Sequence, residues 1–410
     1  MKLYKVYLLF PSLFLLLLAL SSGDFKELSV GLLTIMKHPG ILITDYFAIA
    51  GIPATLLNVA LVGLIGWGFC LGAPAITGNH IAALLTLMGF AFFGKNLFNI
   101  LPVFLGCFLF ARASRKPFQE VLPASLFATS LAPVVGFLFC HWGFRLELAL
   151  ISGTLSGFLT LAIASRVASM HSGYNLYNVG FAGGIVGSLL AALLKGFGFA
   201  VESVLSWREQ IPLEVPCVLS GALLFLVLLG FLADRQVFSR WKQLLSLPGK
   251  SPSDFFSCCS SATIWNMGVT GLLGVIYVLL VRGSFNGPVL GGIFTMVGFA
   301  AYGKHLRNVL PILAGVYLGT MCSSFKAHEP GPLLAALFSS ALAPLAGEFG
   351  IVAGILAGFL HLFVAMNVGV LHGGLNLYNN GFAAGFVAVV VAGVFSYKRV
   401  TKTFEERLTG

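Results

Sequence analysis

Charge is scarce in this chain. Only 9% of its 410 residues are Asp, Glu, Lys or Arg, where a soluble domain carries about 25%, so a water-exposed globular surface is excluded. Motifs of soluble chemistry are missing too. No GxxxxGK[ST] occurs, which argues against a built-in nucleotide motor, and neither HExxH, GxSxG nor a strand-borne GxGxxG is present. No cofactor is therefore implied. Seven cysteines occur without CxxC spacing; Cys70, Cys107, Cys140, Cys217 and Cys322 lie in apolar runs, and adjacent Cys258 and Cys259 suggest neither a zinc site nor a disulfide framework. The net charge is +10, but the basic residues are scattered through short connecting segments. Nucleic acid would need them gathered with interleaved aromatics.

The chain is instead 58% hydrophobic, with a mean hydropathy of +0.96. Runs such as Leu146–Ala164, Val218–Leu232 and Gly268–Val281 read as transmembrane helices, which satisfy their own backbone hydrogen bonds in hydrocarbon. The 49 glycines fit closely packed membrane helices. A multi-pass protein of a cell membrane follows, with the lipid bilayer as its first partner. Association into a homo-oligomer is left open.

The chain is written twice. Gly89–Gly106 (GFAFFGKNLFNILPVFLG) and Gly298–Gly315 (GFAAYGKHLRNVLPILAG) agree at ten of eighteen positions, 209 residues apart. Asp45-Tyr46-Phe47 pairs with Asp254-Phe255-Phe256, TLLNVALVGLIG (Thr55–Gly66) with TIWNMGVTGLLG (Thr263–Gly274), and FATSLAP (Phe127–Pro133) with FSSALAP (Phe338–Pro344). HSGYNLYNVGFAGG (His171–Gly184) and HGGLNLYNNGFAAG (His372–Gly385) close the series, identical at ten of fourteen positions. Order is kept throughout, so this is an internal duplication, with units at residues 1–205 and 206–410 and a polar loop, 234–254, inside the second. The first 23 residues resemble a signal peptide. Their counterpart is the apolar segment Val215–Leu232, which makes them a repeat member and a retained membrane helix.

The fold class expected is an all-α polytopic bundle of two homologous repeats, each with about seven apolar segments. These are 5–21, 52–72, 80–93, 97–111, 122–139, 147–168 and 179–199, then 213–233, 262–281, 288–301, 306–321, 333–346, 350–370 and 380–397. Segments 80–93 and 333–346 fall below the ~17 residues of a normal span and read as broken or re-entrant helices, which point to binding sites in transporters. An odd count makes the repeats inverted. It also puts the basic segments Arg112–Lys116, Arg235–Lys250 and Lys398–Arg407 on the cytoplasmic side.

Three sets of polar residues are site candidates. Lys95, Asn99 and Pro102, like Lys304, Asn308 and Pro311, are spaced i, i+4, i+7, one face of a helix that each proline kinks. They read either as a cationic rim on a solute path or as a lysine snorkelling to the membrane edge beside a structural kink. His171, Asn175 and Asn178 repeat that spacing, with His372, Asn376 and Asn379, and the two elements also carry Tyr177 and Tyr378. A helix would make them one polar stripe. A break at Gly173 or Gly373-Gly374 would make an Asn the N-cap of the next helix, where free N–H groups meet an anionic or carbonyl-bearing solute. The plainer reading is amide glue between repeats. Two histidines without carboxylates make a weak metal site. His361 and Glu348, whose counterparts are Thr160 and Phe137, break the symmetry as proton-coupling candidates, with a hydrogen-bonded core histidine and a wet loop as the alternatives. Asp45 and Asp254 precede long apolar segments and read as N-caps.

The duplicated GKxLxN[IV]LP and HxGxNLYNxGFA blocks resemble an uncharacterised bacterial membrane family with a tandem-repeat domain of unknown function, over nearly the whole chain. That resemblance implies architecture and no activity. Gly173-Tyr174-Asn175 is locally similar to the Gly-aromatic-Asn element of urea transporters, where the second unit has Gly374-Leu375-Asn376 instead. The function expected is a transporter or channel for a small polar solute, with its path between the repeats. A membrane-embedded enzyme acting on a lipid or lipid-linked substrate would instead require Lys95, His171 and Glu348 to converge at a lipid-facing surface. A scaffold would leave every polar element satisfied and lining no cavity.

Overall fold

The computed structural model describes residues 2–409, with side chains for 4–397. Among the described residues each unit contributes eight helices, apart from the single turn Phe255–Cys258. The first has α1 (Tyr4–Ser22), α2 (Phe25–Met36), α3 (Tyr46–Cys70), α4 (Gly78–Phe90), α5 (Leu97–Ala113), α6 (Phe118–His141), α7 (Leu146–Met170) and α8 (Asn178–Gly196). The second has α9 (Glu214–Ala233), α10 (Val237–Leu244), α11 (Ser260–Leu280), α12 (Gly287–Ala300), α13 (Leu306–Met321), α14 (Pro330–Phe349), α15 (Ile351–His372) and α16 (Asn379–Thr409). Ten of these are long and apolar enough to cross a bilayer. The exceptions are α2, α10 and the short pairs α4–α5 and α12–α13.

Those pairs revise the expected segment count. After α5 the chain returns to where α3 ended, because Gln119 Nε2 donates to Phe69 O at 3.3 Å. The α4–α5 pair is thus a hairpin entering and leaving by one face, so each unit has five helices long and apolar enough to cross rather than seven. Five is also odd. The α12–α13 pair is the equally short counterpart. Segment 333–346, expected to be short, is the middle of α14, a full-length span interrupted by a 3₁₀ turn at Ser340–Leu342; α6 is interrupted in the same way at Thr129–Leu131. The cause is in FATSLAP and FSSALAP, where Pro133 and Pro344 supply no N–H to the turn behind them.

The units are inverted. Lys5 Nζ binds Leu71 O, where α3 ends, at 2.8 Å, and the neighbouring Tyr4 OH meets Ser260 Oγ, where α11 begins, at 3.1 Å. Equivalent helices therefore run in opposite directions. The same holds for α4 and α12, which touch along their lengths: a Cβ on Gly89 would meet Gly291 O at 2.8 Å, so the two backbones pack without side chains between them. The N-terminal α1 packs on α3, with Ser12 against Gly63, as α9 packs on α11, with Gly230 against Trp265.

The two faces differ in charge. Lys5, Arg112, Arg115, Lys116, Arg235, Arg240 and Lys242 share one face with Glu120 and Asp234. The opposite face alternates signs, in Asp24-Lys26-Glu27, Arg145-Glu147, Arg208-Glu209 and Lys326-Glu329. The expected basic segment Arg112–Lys116 and the start of Arg235–Lys250 thus share a face, called the basic face below; the side chains of Lys398–Arg407 lie outside the described residues.

Candidate functional site

Both copies of the NLYN element leave the helix. Gly173, Gly373 and Gly374 take positive φ (81°, 56° and 83°), which breaks the expected polar stripe into a turn. His171 Nδ1 accepts from Asn175 N at 3.3 Å, and its Nε2 meets Asn178 Oδ1 at 3.0 Å. His372 Nδ1 accepts from Gly374 N, and its Nε2 meets Asn379 Oδ1 at 3.0 Å. With Nδ1 accepting, the proton sits on Nε2 and the ring donates to the amide. Asn178 and Asn379 pass the chain on to Ala164 O and Ala365 O, each at 2.9 Å.

Asn175 and Asn376 join the units. Asn175 Oδ1 accepts from Tyr177 N while its Nδ2 donates to Gly381 O at 3.1 Å. Asn376 mirrors this with Tyr378 N and Gly180 O. Each element also plugs into the broken span of the other unit: Leu176 N donates to Ala341 O and Leu377 N to Ser130 O, carbonyls in or beside the 3₁₀ turns, at 3.0 and 2.9 Å. The amides of Asn175 and Asn376 thus bind backbone carbonyls across the two units, not each other.

The GKxLxN block also departs from its expected helix. Lys95 and Lys304 lie in the turn before α5 and α13, not on the helical face with Asn99 and Asn308. The N-caps are Asn96 and His305, the position between, and Asn99 and Asn308 complete capping boxes by accepting from Asn96 N and His305 N at 2.9 Å. Pro102 and Pro311 pack against Gly153 and Gly354 of the neighbouring helices. Asn58 and Asn266, from the TLLN and TIWN blocks, fasten the turn by donating to the carbonyls of Ala91 and Lys95, and of Ala300 and Lys304.

Neither lysine snorkels. Both are fully buried, 0% exposed. Lys95 Nζ reaches across to Tyr378 OH at 3.0 Å and lies over the rings of Phe90 and Tyr378. Lys304 Nζ reaches across to Tyr177 OH and to Ser340 Oγ, the latter at 2.8 Å, and lies over Tyr177 and Phe299. Each amine thus binds a tyrosine of the other unit.

The same tyrosines line a cavity of about 180 Å³. Its wall is assembled from equivalent residues: Thr86 and Thr295, Phe90 and Phe299, Phe127 and Phe338, Tyr177 and Tyr378, Gly180 and Gly381. The ring contacts repeat as well. Phe90 packs on Tyr378 and Phe338 at 4.3 and 5.3 Å between centroids, and Phe299 packs on Tyr177 and Phe127 at 4.7 and 5.3 Å. Asn79, Ser251 and Tyr302 complete the wall on the side of the basic face and are half-buried. The counterparts of Asn79 and Tyr302, Pro288 and Phe93, are buried.

Of the sequence candidates, Tyr177, Asn178 and Tyr378 line this cavity; His171, Asn175, His372, Asn376, Asn379, Asn99, Pro102, Asn308 and Pro311 stand behind it or away from it. Lys95 and His171 are buried and have different partners, so no lipid-facing cluster with Glu348 forms. Glu348 is half-buried in the last turn of α14, not in a loop. His361 is a fully buried core histidine whose Nε2 meets Asn380 Oδ1 at 3.1 Å, and Asn380 lines the cavity.

Thr86, Thr295 and the four phenylalanines were not sequence candidates. The phenylalanines sit in the duplicated blocks, a signal that was readable; the threonines do not. A second omission is the reach of the N-caps. Asp45 Oδ1 accepts from Phe47 N and also from Gly287 N, at 3.0 and 3.2 Å, and Asp254 Oδ1 from Ser257 N and Gly78 N, both at 2.9 Å. Each aspartate thus caps the short hairpin helix of the other unit as well as its own chain.

No curated protein and no solved structure matches the chain, so the local likeness to urea transporters carries no fold argument. The model of one family, described as a protein of unknown function (DUF1576), matches residues 25–196 and 233–397, one stretch in each unit. Matched over most of its length, the chain belongs to the DUF1576 family.

Proposed function

We propose that the protein carries a small polar solute across a cell membrane through the cavity between its two inverted units. The observation behind this reading is the two-fold wall: one cavity of aromatic and polar residues whose lining comes largely in equivalent pairs, one from each repeat. Repeat transporters build their sites at such interfaces, near discontinuous helices. The half-buried Asn79, Ser251 and Tyr302 fit a conformation open toward the basic face, which is cytoplasmic by the positive-inside rule. Exchange of conformation between the two units would open the other side.

The test is solute flux into liposomes holding the purified protein, followed by stopped-flow light scattering with urea, glycerol, acetamide and acetate. At least one solute should equilibrate faster than in protein-free liposomes. Thr86→Phe and Thr295→Phe, which fill the cavity from either unit, should each return that rate to background. Background rates for all solutes with the native protein contradict the reading.

A further inference from the structure

We infer that the solute is a small organic anion, read by the hydroxyls of Tyr177 and Tyr378 and balanced by Lys304 and Lys95; this rests on the transport reading above. The two amines are fully buried, and neither has a carboxylate within ion-pair distance among the described residues. A buried ammonium without a counter-charge is costly. Its partners here are neutral: one tyrosine hydroxyl for Lys95, a tyrosine and a serine hydroxyl for Lys304, and two aromatic rings each. Ring faces and hydroxyl oxygens attract a cation without neutralising it. An anion in the cavity that the same tyrosines line would supply the charge beside which both amines are protonated.

Hydrogen-bond direction leads to the same class. Protonated beside an anion, each amine only donates, so each tyrosine oxygen accepts from its lysine and keeps its own O–H to give. Two such donors then stand in the cavity wall beside Thr86, while Thr295 gives its hydroxyl to Gly291 O. Charge-assisted donors of this kind favour a carboxylate over the neutral amide of equal size. Phe90, Phe127, Phe299 and Phe338 complete the wall and accommodate a short apolar body, which makes the anion organic. The volume restricts it to a few carbon atoms.

The experiment uses isosteric pairs in the liposome assay at pH 7.5: acetate against acetamide and malonate against malonamide, the acids as potassium salts with valinomycin to balance charge. The native protein should pass at least one acid at least tenfold faster than its amide. Tyr177→Phe and Tyr378→Phe, which remove only the hydroxyls, should each lower that preference by about tenfold, the scale of a lost hydrogen bond to a charged group. Lys95→Met and Lys304→Met should abolish it, with gel filtration reporting the folded state. Amides passing as fast as their acids, or a preference unchanged in the tyrosine variants, overturn the anion while leaving transport standing. Acids and amides all at the protein-free rate would instead remove the transport reading itself.

Discussion

Lys95 and Lys304 occupy equivalent places in the two units, but their surroundings differ. Lys304 has two hydroxyl partners, Tyr177 and Ser340. Lys95 has one, Tyr378; Ser340 and its counterpart Thr129 both donate to the carbonyl three residues back, Leu337 O and Leu126 O, and Ser340 also accepts from its lysine. The second unit also places the His361–Asn380 pair where the first has Thr160 and Val179. Duplication therefore supplied the frame twice, while the polar refinement sits in unit two. Where frame is concerned the copies agree in kind: both NLYN turns, both broken spans and both cross-caps recur, although His171 accepts from Asn175 N and His372 from Gly374 N. Near the cavity they diverge, as expected of a site that must hold an asymmetric solute or be open at one end.

The largest effects should come from the frame. Asp45→Ala removes an acceptor from Phe47, Gly287 and Arg208 N–H groups, whereas Asp254→Ala strips only Ser257 and Gly78. At about 1 kcal/mol per lost cap, thermal unfolding in detergent should show both variants destabilised, Asp45→Ala the more so. An equal loss would mean that the Arg208 contact contributes nothing. A smaller difference is expected at the lysines. Ser340→Ala deprives Lys304 of a hydroxyl and should weaken half-saturation of solute flux by about three- to tenfold, the range of one hydrogen bond to a charged group. Thr129→Ala, its counterpart, should leave flux unchanged. Equal effects from the two would erase the functional asymmetry drawn here.

Much of the frame was legible in the sequence because helices in lipid must be apolar and continuous, and because ordered blocks 201 to 211 residues apart survive duplication. The polar residues were harder to place. Spacing of i, i+4, i+7 put Lys95 on a helix face with Asn99, yet Gly94, with φ 91°, ends the turn just before it and the helix starts only at Leu97. Asn96 between them was the stronger local signal, an N-cap followed three residues later by its capping-box partner. Other assignments had no local signal. Lys95 and Tyr378 are 283 positions apart, and nothing in either block states that an inverted pair would bring them together. Asn175 and Asn376 reach Gly381 O and Gly180 O, carbonyls in the first turns of α16 and α8 that already serve those helices, so no local shortage announces the contact. Thr86 and Thr295 stayed hidden because a threonine inside an apolar helix reads as a residue bonded back to its own turn, as Thr295 is, to Gly291 O.

The central claim is that the paired walls enclose a space a solute can reach. Thiol accessibility at Thr295→Cys, in a background where exposed Cys217, Cys258 and Cys322 are serine, tests this most directly. An anionic thiosulfonate reagent added at the basic face of oriented vesicles should modify it, and acetate or malonate should slow the reaction. The same reagent at the opposite face should react far more slowly. A thiol that reacts from neither face would contradict the account.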